Sequence, residues 1–147
     1  MAYITNVEIE ARLGTTTYVQ LTDDAGTGIA DPDVVEEARL GAEGEANSYL
    51  ATRYAVPIDL TDEPQLAAVL RSFVLDLVAF RLHSRRPPVP ADIVRRREEA
   101  VTWLGRVASG LVQLPAATAP RTNAALGVVI RFDGPRRFMT RDGLDHL

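Results

Sequence analysis

Apolar residues recur along this chain at three- and four-residue steps, in runs separated by short polar stretches that carry helix starts and stops. The first run opens at Thr5. Thr5 and Glu8 have the spacing of a capping box, Ile4 and Ile9 stand at its hydrophobic-staple positions, and Gly14 fits the stop. Tyr18, Val19 and Leu21 predict a further helical turn over 17–21. From Asp23 to Asp31 the pattern lapses into a loop, with Gly26 and Gly28 free to take positive φ and aspartates suited to Asx-turns. Asp31 as N-cap and Pro32 at N1 start the next helix, whose face is Val35, Ala38, Ala42, Ala46, Tyr49, Leu50 and Tyr54, with Pro57 as its end. Gly41 and Gly44 inside it each cost about 1 kcal/mol relative to Ala, which predicts a neighbour packed close at both.

The third run starts at Thr61 or Asp62, with Pro64 in its first turn. Leu66, Val69, Leu70, Phe73, Val74, Leu77, Val78 and Phe80 make it apolar over more than half its circumference. That is the pattern of a central helix, and Arg85 to Pro88 end it. The fourth starts near Pro90 or Asp92, with Val94, Arg97, Val101, Leu104, Ala108 and Leu111 on one face, Ala100 and Val107 flanking it, and Gly110 as its stop. The fold class is therefore mainly α, a small four-helix bundle-like domain with short links.

Composition changes after Pro115. Residues 116–127 are small and read as a linker, while Val128–Phe132 and Arg137–Thr140 flank Asp133-Gly134, a hairpin signal. Two short strands do not stand alone in water. Residues 1–115 are thus read as a helical body, and 116–147 as a linker and C-terminal arm that forms a short β-hairpin or adds strands to a neighbour. Val128, Val129, Ile130, Phe132, Arg136, Arg137, Phe138 and Arg141 are the arm's candidate contact residues.

With 147 residues, 46% of them apolar, the chain can bury one core. It has no cysteine, which excludes disulfides, thiolate metal sites and Cys nucleophiles. The N-terminus lacks the features of a signal peptide and no apolar run is long enough for a bilayer, so a soluble protein made without export and without membrane contact is expected. Net charge is −4, unevenly placed: residues 1–63 carry −10, residues 64–111 carry +4 and residues 112–147 carry +2. Opposite charges on one chain suit head-to-tail contact between identical subunits, with Glu36, Glu37 and Glu43 facing Arg85, Arg86, Arg95 and Arg96; solvated faces account for the same charges equally well. All 16 basic residues are Arg, which suits bidentate pairing but also follows from base composition.

Candidate chemistry is thin. Asp23, Asp24 and Asp31 could offer oxygens to calcium, but Gly28, Ile29 and Ala30 stand where an EF-hand needs ligands, so a structural loop is favoured. His83 and His146 are the two histidines, and neither has a Ser, Asp or Glu partner at a diagnostic spacing. Residues 25–28, AGTG, lack the P-loop lysine. No enzyme activity, cofactor or metal is expected. Arg81, Arg85, Arg86, Arg95, Arg96 and Arg97 cluster about the last interhelical link and could meet phosphates, which keeps a small DNA-binding or packaging-regulating protein as the alternative. Trp103, Tyr49 and Tyr54 are read as packing residues, with the tyrosine hydroxyls at the core's edge.

Tyr3-Ile4-Thr5, Leu13-Gly14, Leu21-Thr22-Asp23-Asp24, Asp31 and the block Tyr49-Leu50-Ala51-Thr52-Arg53-Tyr54-Ala55-Val56-Pro57 occur in that order. Together with Arg97 to Leu104 and Arg137 to Asp142, they resemble the Mu-type phage Gp36 family over most of the chain. The resemblance implies a mainly helical structural protein of a tailed phage or prophage, similar to head-to-tail connectors. Such adaptors form a ring, commonly twelve-fold, below the portal protein and above a stopper or tail-completion protein, in the virion neck. They assemble from host cytoplasm, and genomic DNA passes through without sequence-specific binding. On that implication the arm residues are expected to touch a neighbouring subunit or the portal, and part of the acidic first half to face the bore, where it repels phosphate and lets DNA slide.

Overall fold

The computed structural model describes residues 2–114. They fold into five helices: α1 (Asn6–Leu13), α2 (Thr15–Thr22), α3 (Pro32–Leu50), α4 (Pro64–Ser84) and α5 (Ala91–Ser109). The mainly α class is as expected. The segment read as one helical turn is a full two-turn helix, entered directly from Gly14 at φ 81°. Gly14 therefore both stops α1 and starts α2. The expected arm, with Val128, Val129, Ile130, Phe132, Arg136, Arg137, Phe138 and Arg141, lies outside the described residues, as does His146.

Local signals set most boundaries. Thr5 caps α1 through a reciprocal box, its amide donating to Glu8 Oε2 at 2.7 Å while Glu8 N donates back to Thr5 Oγ1 at 3.4 Å. Ile4 and Ile9, the staple pair, are each 1% exposed. Asp31 caps α3 by accepting from Asp33 N at 2.9 Å, with Pro32 at N1. Pro64 occupies the same first-turn position in α4, so that helix begins after Glu63 rather than at Thr61 or Asp62.

Two expectations shift. α3 ends at Leu50, well before Pro57. Arg53 N and Tyr54 N turn back onto the Leu50 carbonyl at 3.1 and 2.9 Å, which keeps Tyr54 buried without a further helical turn. The link that follows brings Ile58 and Leu60 into the core. In α5 the buried seam is Ile93, Ala100, Leu104 and Val107, not the stripe through Val94, Val101, Ala108 and Leu111. Trp103 packs on Phe73, centroids 4.9 Å apart, on the side of α5 opposite Val94 and Val101, so α5 meets α4 away from that stripe. Gly110 then adopts the left-handed conformation at φ 82°, and Leu111, already off the helix, is 81% exposed.

α4 and α3 are the hubs, each packing against every other helix. Leu50, Leu70, Val74, Leu77, Val78, Leu82 and Leu104 are almost wholly inaccessible where α3, α4 and α5 meet. Each such side chain contributes about 1.5–3 kcal/mol by leaving water. Asp76 interrupts the apolar run of α4 and is itself buried, with Arg12 of α1 as its ion-pair partner. Among the described residues no helix is long and apolar enough to cross a membrane.

Candidate functional site

The arginines that cluster in the sequence do come together, around the C-terminal end of α4 and the N-terminal half of α5, but most are engaged by their own chain. Arg81 and Arg97 converge on one carboxylate of α3, Glu45, at 2.8 and 3.3 Å. The Arg97 guanidinium also lies over the Phe80 ring, 4.7 Å from its centroid. Gly41 makes this possible. A Cβ there would stand 2.8 Å from Arg81 Nη1, so glycine lets the guanidinium rest against α3. The expectation of a close neighbour thus holds at Gly41 and fails at Gly44, where a Cβ would meet nothing within 4 Å.

Arg85 and Arg86 reach the loop after α2. Arg85 pairs with Asp24 and donates to the Leu21 carbonyl at 2.6 Å, while Arg86 donates to the Asp23 carbonyl at 3.0 Å. Arg96 faces Asp92 one turn back at 3.7 Å. Of the six clustered arginines, Arg95 is the one left with no ion pair or hydrogen bond among the described residues. Carboxylates and carbonyls of the chain itself occupy most of these cations, so few of them stand unpaired at the surface.

The aspartates of the loop are equally committed. Asp23 accepts from Thr27 N at 3.0 Å and Gly28 N at 2.7 Å, and these amides hold its carboxyl below the usual aspartate range. Asp24 holds Arg85 and Arg86, and Asp31 caps α3. The three carboxylates thus serve turn, tether and cap, the arrangement of a structural loop.

The acids proposed for inter-subunit contact divide three ways. Glu43 is turned inward, 8% exposed, and accepts from Tyr3 N at 2.9 Å and Ile4 N at 3.4 Å. It secures the N-terminus to α3 instead of presenting charge to a neighbour. Glu36 is held by Arg39, whose hydrogen bonds lower its pKa. Glu37 is exposed and has no ion pair or hydrogen bond among the described residues. The sequence signal that would have separated them is azimuth: Glu43 lies beside Ala42, Ala46 and Leu50, and Glu37 lies opposite them.

Between α3, α4 and α5 a cleft of about 440 Å³ is lined by Val34, Glu45, Phe80, Arg81 and Arg97, with the exposed Glu37 also on its lining. Glu45 and its two guanidiniums are ion-paired there, a cross-brace between helices, whereas Glu37 is left unpaired among the described residues. Ser84 at its edge donates to the Phe80 carbonyl, and the His83 ring bonds the Ala79 carbonyl. Both therefore close on their own helix. Trp103 and Phe73 form a second, open groove on the outer side of α4 and α5, flanked by Arg95, Glu99 and Arg106.

A family model described as Bacteriophage Mu, Gp36 matches residues 3–131. The match spans the helical body and runs past Pro115 to Arg131, so it includes Val128, Val129 and Ile130. No curated protein matches the chain.

Proposed function

This chain belongs to the Bacteriophage Mu Gp36 family, and from that premise we propose that it is a structural head-to-tail connector of a tailed phage or prophage. In this reading it forms a ring of about twelve copies in the virion neck. The portal protein lies above it and a stopper or tail-completion protein below, and DNA passes through the bore. The family match over residues 3–131 is the observation that carries the reading.

The geometry supports it in two ways. The arginine cluster is engaged inside the chain, which favours a construction role over DNA gripping. The body is cross-braced by ion pairs between helices far apart in sequence, Arg12–Asp76, Arg81–Glu45 and Arg97–Glu45, as suits a part that bears load. The exposed Asp62 and the half-buried Glu63 are available for a bore lining, whereas Asp59 is held by Thr61. The segment 116–147 serves as the assembly arm, with Val128, Val129, Ile130, Phe132, Arg136, Arg137, Phe138 and Arg141 as contacts. The protein is neither an enzyme nor a cofactor carrier in this reading.

Cryo-electron microscopy of particles carrying this chain tests the reading, with a ring expected between portal and tail. Deleting residues 116–147 should leave a folded helical monomer that is absent from particles. Particles that carry the truncated chain in a complete ring would refute the arm's role, and salt-dependent DNA binding by the isolated protein would favour the packaging-regulator alternative.

A further inference from the structure

A ring of identical subunits needs two different, complementary faces on each copy. The described surface offers one pair that the chain itself leaves unused. The first is the outer stripe of α3, formed by Asp33, Glu37, Leu40 and Gly44, which recur at three- and four-residue steps on the side away from Ala38, Ala42 and Ala46. Leu40 is 56% exposed. One turn further on, Gly44 weakens the helix interior by about 1 kcal/mol, and no group of its own chain comes within 4 Å of a Cβ placed there. Asp33 and Glu37 give the stripe negative charge, with no side-chain partner among the described residues for either.

The second face is the outer groove of α4 and α5. Phe73 and Trp103 lie half-buried at its floor, and Arg106 and Glu99 stand one turn to either side of Trp103. The Arg106 guanidinium has no ion pair or hydrogen bond among the described residues.

We infer that the outer stripe of α3 in one copy seats antiparallel in the Phe73–Trp103 groove of the next copy, with Leu40 over Trp103 and Glu37 at Arg106. The register follows from helix geometry. Leu40 to Glu37 and Trp103 to Arg106 are both three-residue steps, about 4.5 Å along a helix. With Leu40 on Trp103, the antiparallel arrangement pairs Glu37 with Arg106 and places the uncharged Gly44 beside Glu99. A parallel arrangement would instead set Glu37 against Glu99, like charge against like, and leave Arg106 facing Gly44; the Asp33–Arg95 pair it would form only offsets that repulsion, so the antiparallel register, with one attraction and no like-charge contact, is favoured. The glycine also lets the two helix backbones approach closely, which its own chain does not use. Because the faces differ, the contact is head-to-tail and propagates from copy to copy. This inference rests on the connector reading and supplies its subunit contact.

The chain has no cysteine, so a paired-cysteine cross-link reads the contact directly. The same register brings Ser48 of α3, eight residues past Leu40, to Arg95 of the groove, eight before Trp103, and both are exposed. The full-length variant Ser48→Cys with Arg95→Cys, oxidised at high protein concentration, should give a ladder of dimers, trimers and longer chains on a non-reducing gel. Ser48→Cys alone should stay monomeric, as should a control joining Ser48→Cys to Asp62→Cys. Adding Glu37→Arg to the cross-linking pair should lower ladder yield roughly tenfold through like-charge repulsion, and adding Arg106→Glu as well should restore it. A ladder no stronger than the control, or dimers from Ser48→Cys alone, would overturn the inference. Circular dichroism on each variant confirms the helical fold. A missing ladder with the ring still present in the neck rejects this face and keeps the connector reading; absence of the protein from the neck rejects the reading, whatever the ladder shows.

Discussion

Glu43 and Asp24 each tie two distant stretches of the chain together, one under cover and one in water. Glu43 on α3 receives the amides of Tyr3 and Ile4 and is 8% exposed. Beside it the Tyr3 hydroxyl donates to Asn47 Oδ1 at 2.6 Å and accepts from Ile58 N at 3.0 Å. Three segments are thus joined in a part-buried network, with the Ile4 amide and the Glu43 carboxylate at its buried end. Asp24, in the loop before α3, holds Arg85 and Arg86 at the end of α4 with half its side chain exposed. Both connections join residues tens of positions apart, yet they cannot be equal in energy. Hydrogen bonds to a buried carboxylate protect groups that would otherwise be stranded, whereas an exposed ion pair exchanges one set of solvated charges for another. Long-range connection is not by itself stabilisation; burial decides its value.

The sharpest break comes from Glu43→Ala, which leaves the Ile4 amide without its acceptor in the core. Chemical denaturation should show a loss of about 2–4 kcal/mol. A loss under 1 kcal/mol would put Glu43 on a par with Asp24 and undo the comparison. Tyr3→Phe tests the same region more gently. Ile58 N loses its acceptor, and stability should fall by about 1–2 kcal/mol. Burial also raises the Tyr3 pKa above the ordinary tyrosine value. Its contribution is therefore present below about pH 10 and lost as pH rises through the raised value, a slope that the phenylalanine variant should lack.

For Asp24→Ala the expected loss is about 0.2–1 kcal/mol, and it should vanish in about 1 M salt, where exposed charges are screened. A loss that persists at high salt would mean that this tether is protected after all. The smallest effect belongs to Asp23. Amides of Gly28 and Thr27 lower its pKa, so the loop gains from the charged form above the ordinary aspartate value of about 3.9 and loses that gain as pH falls through the lowered one. Protection of the Thr27 and Gly28 amides, taken relative to their intrinsic exchange rates, should fall over that acid range in the parent and be already low, without that acid dependence, in Asp23→Asn.

Much of this was legible in the chain. The Thr5–Glu8 box, the Asp31-Pro32 start and the Gly110 stop act within a few residues, and the structure realises each. The central position of α4 followed from its apolar circumference. The α5 seam did not, because Ile93-Ala100-Leu104-Val107 and Val94-Val101-Leu104-Ala108 both fit helical spacing, and only the packing of Trp103 on Phe73 chooses between them. Of the charged candidates that counting picked out, Glu37 and Arg95 are left without an ion pair or hydrogen bond among the described residues. Charge counting could not tell Glu37 from Glu43, one outward and one inward on the same helix.

The sequence by itself determined the capped starts of α1 and α3, the glycine stops of α1 and α5, that the fold is mainly α, and which family the chain resembles, since caps, glycines, prolines and periodic apolar residues act locally. The tertiary structure decided which charges remain available. Arg81, Arg85, Arg86 and Arg97 read as a basic patch until Glu45, Asp24 and two loop carbonyls are brought against them from more than 30 residues away. Leu40 reads as an ordinary position in α3, and Gly44 as one packed against its own chain, until the bundle leaves both facing outward. A charge or an apolar side chain becomes a contact site only through what the fold does or does not place beside it, and that placement is a property of the packed chain.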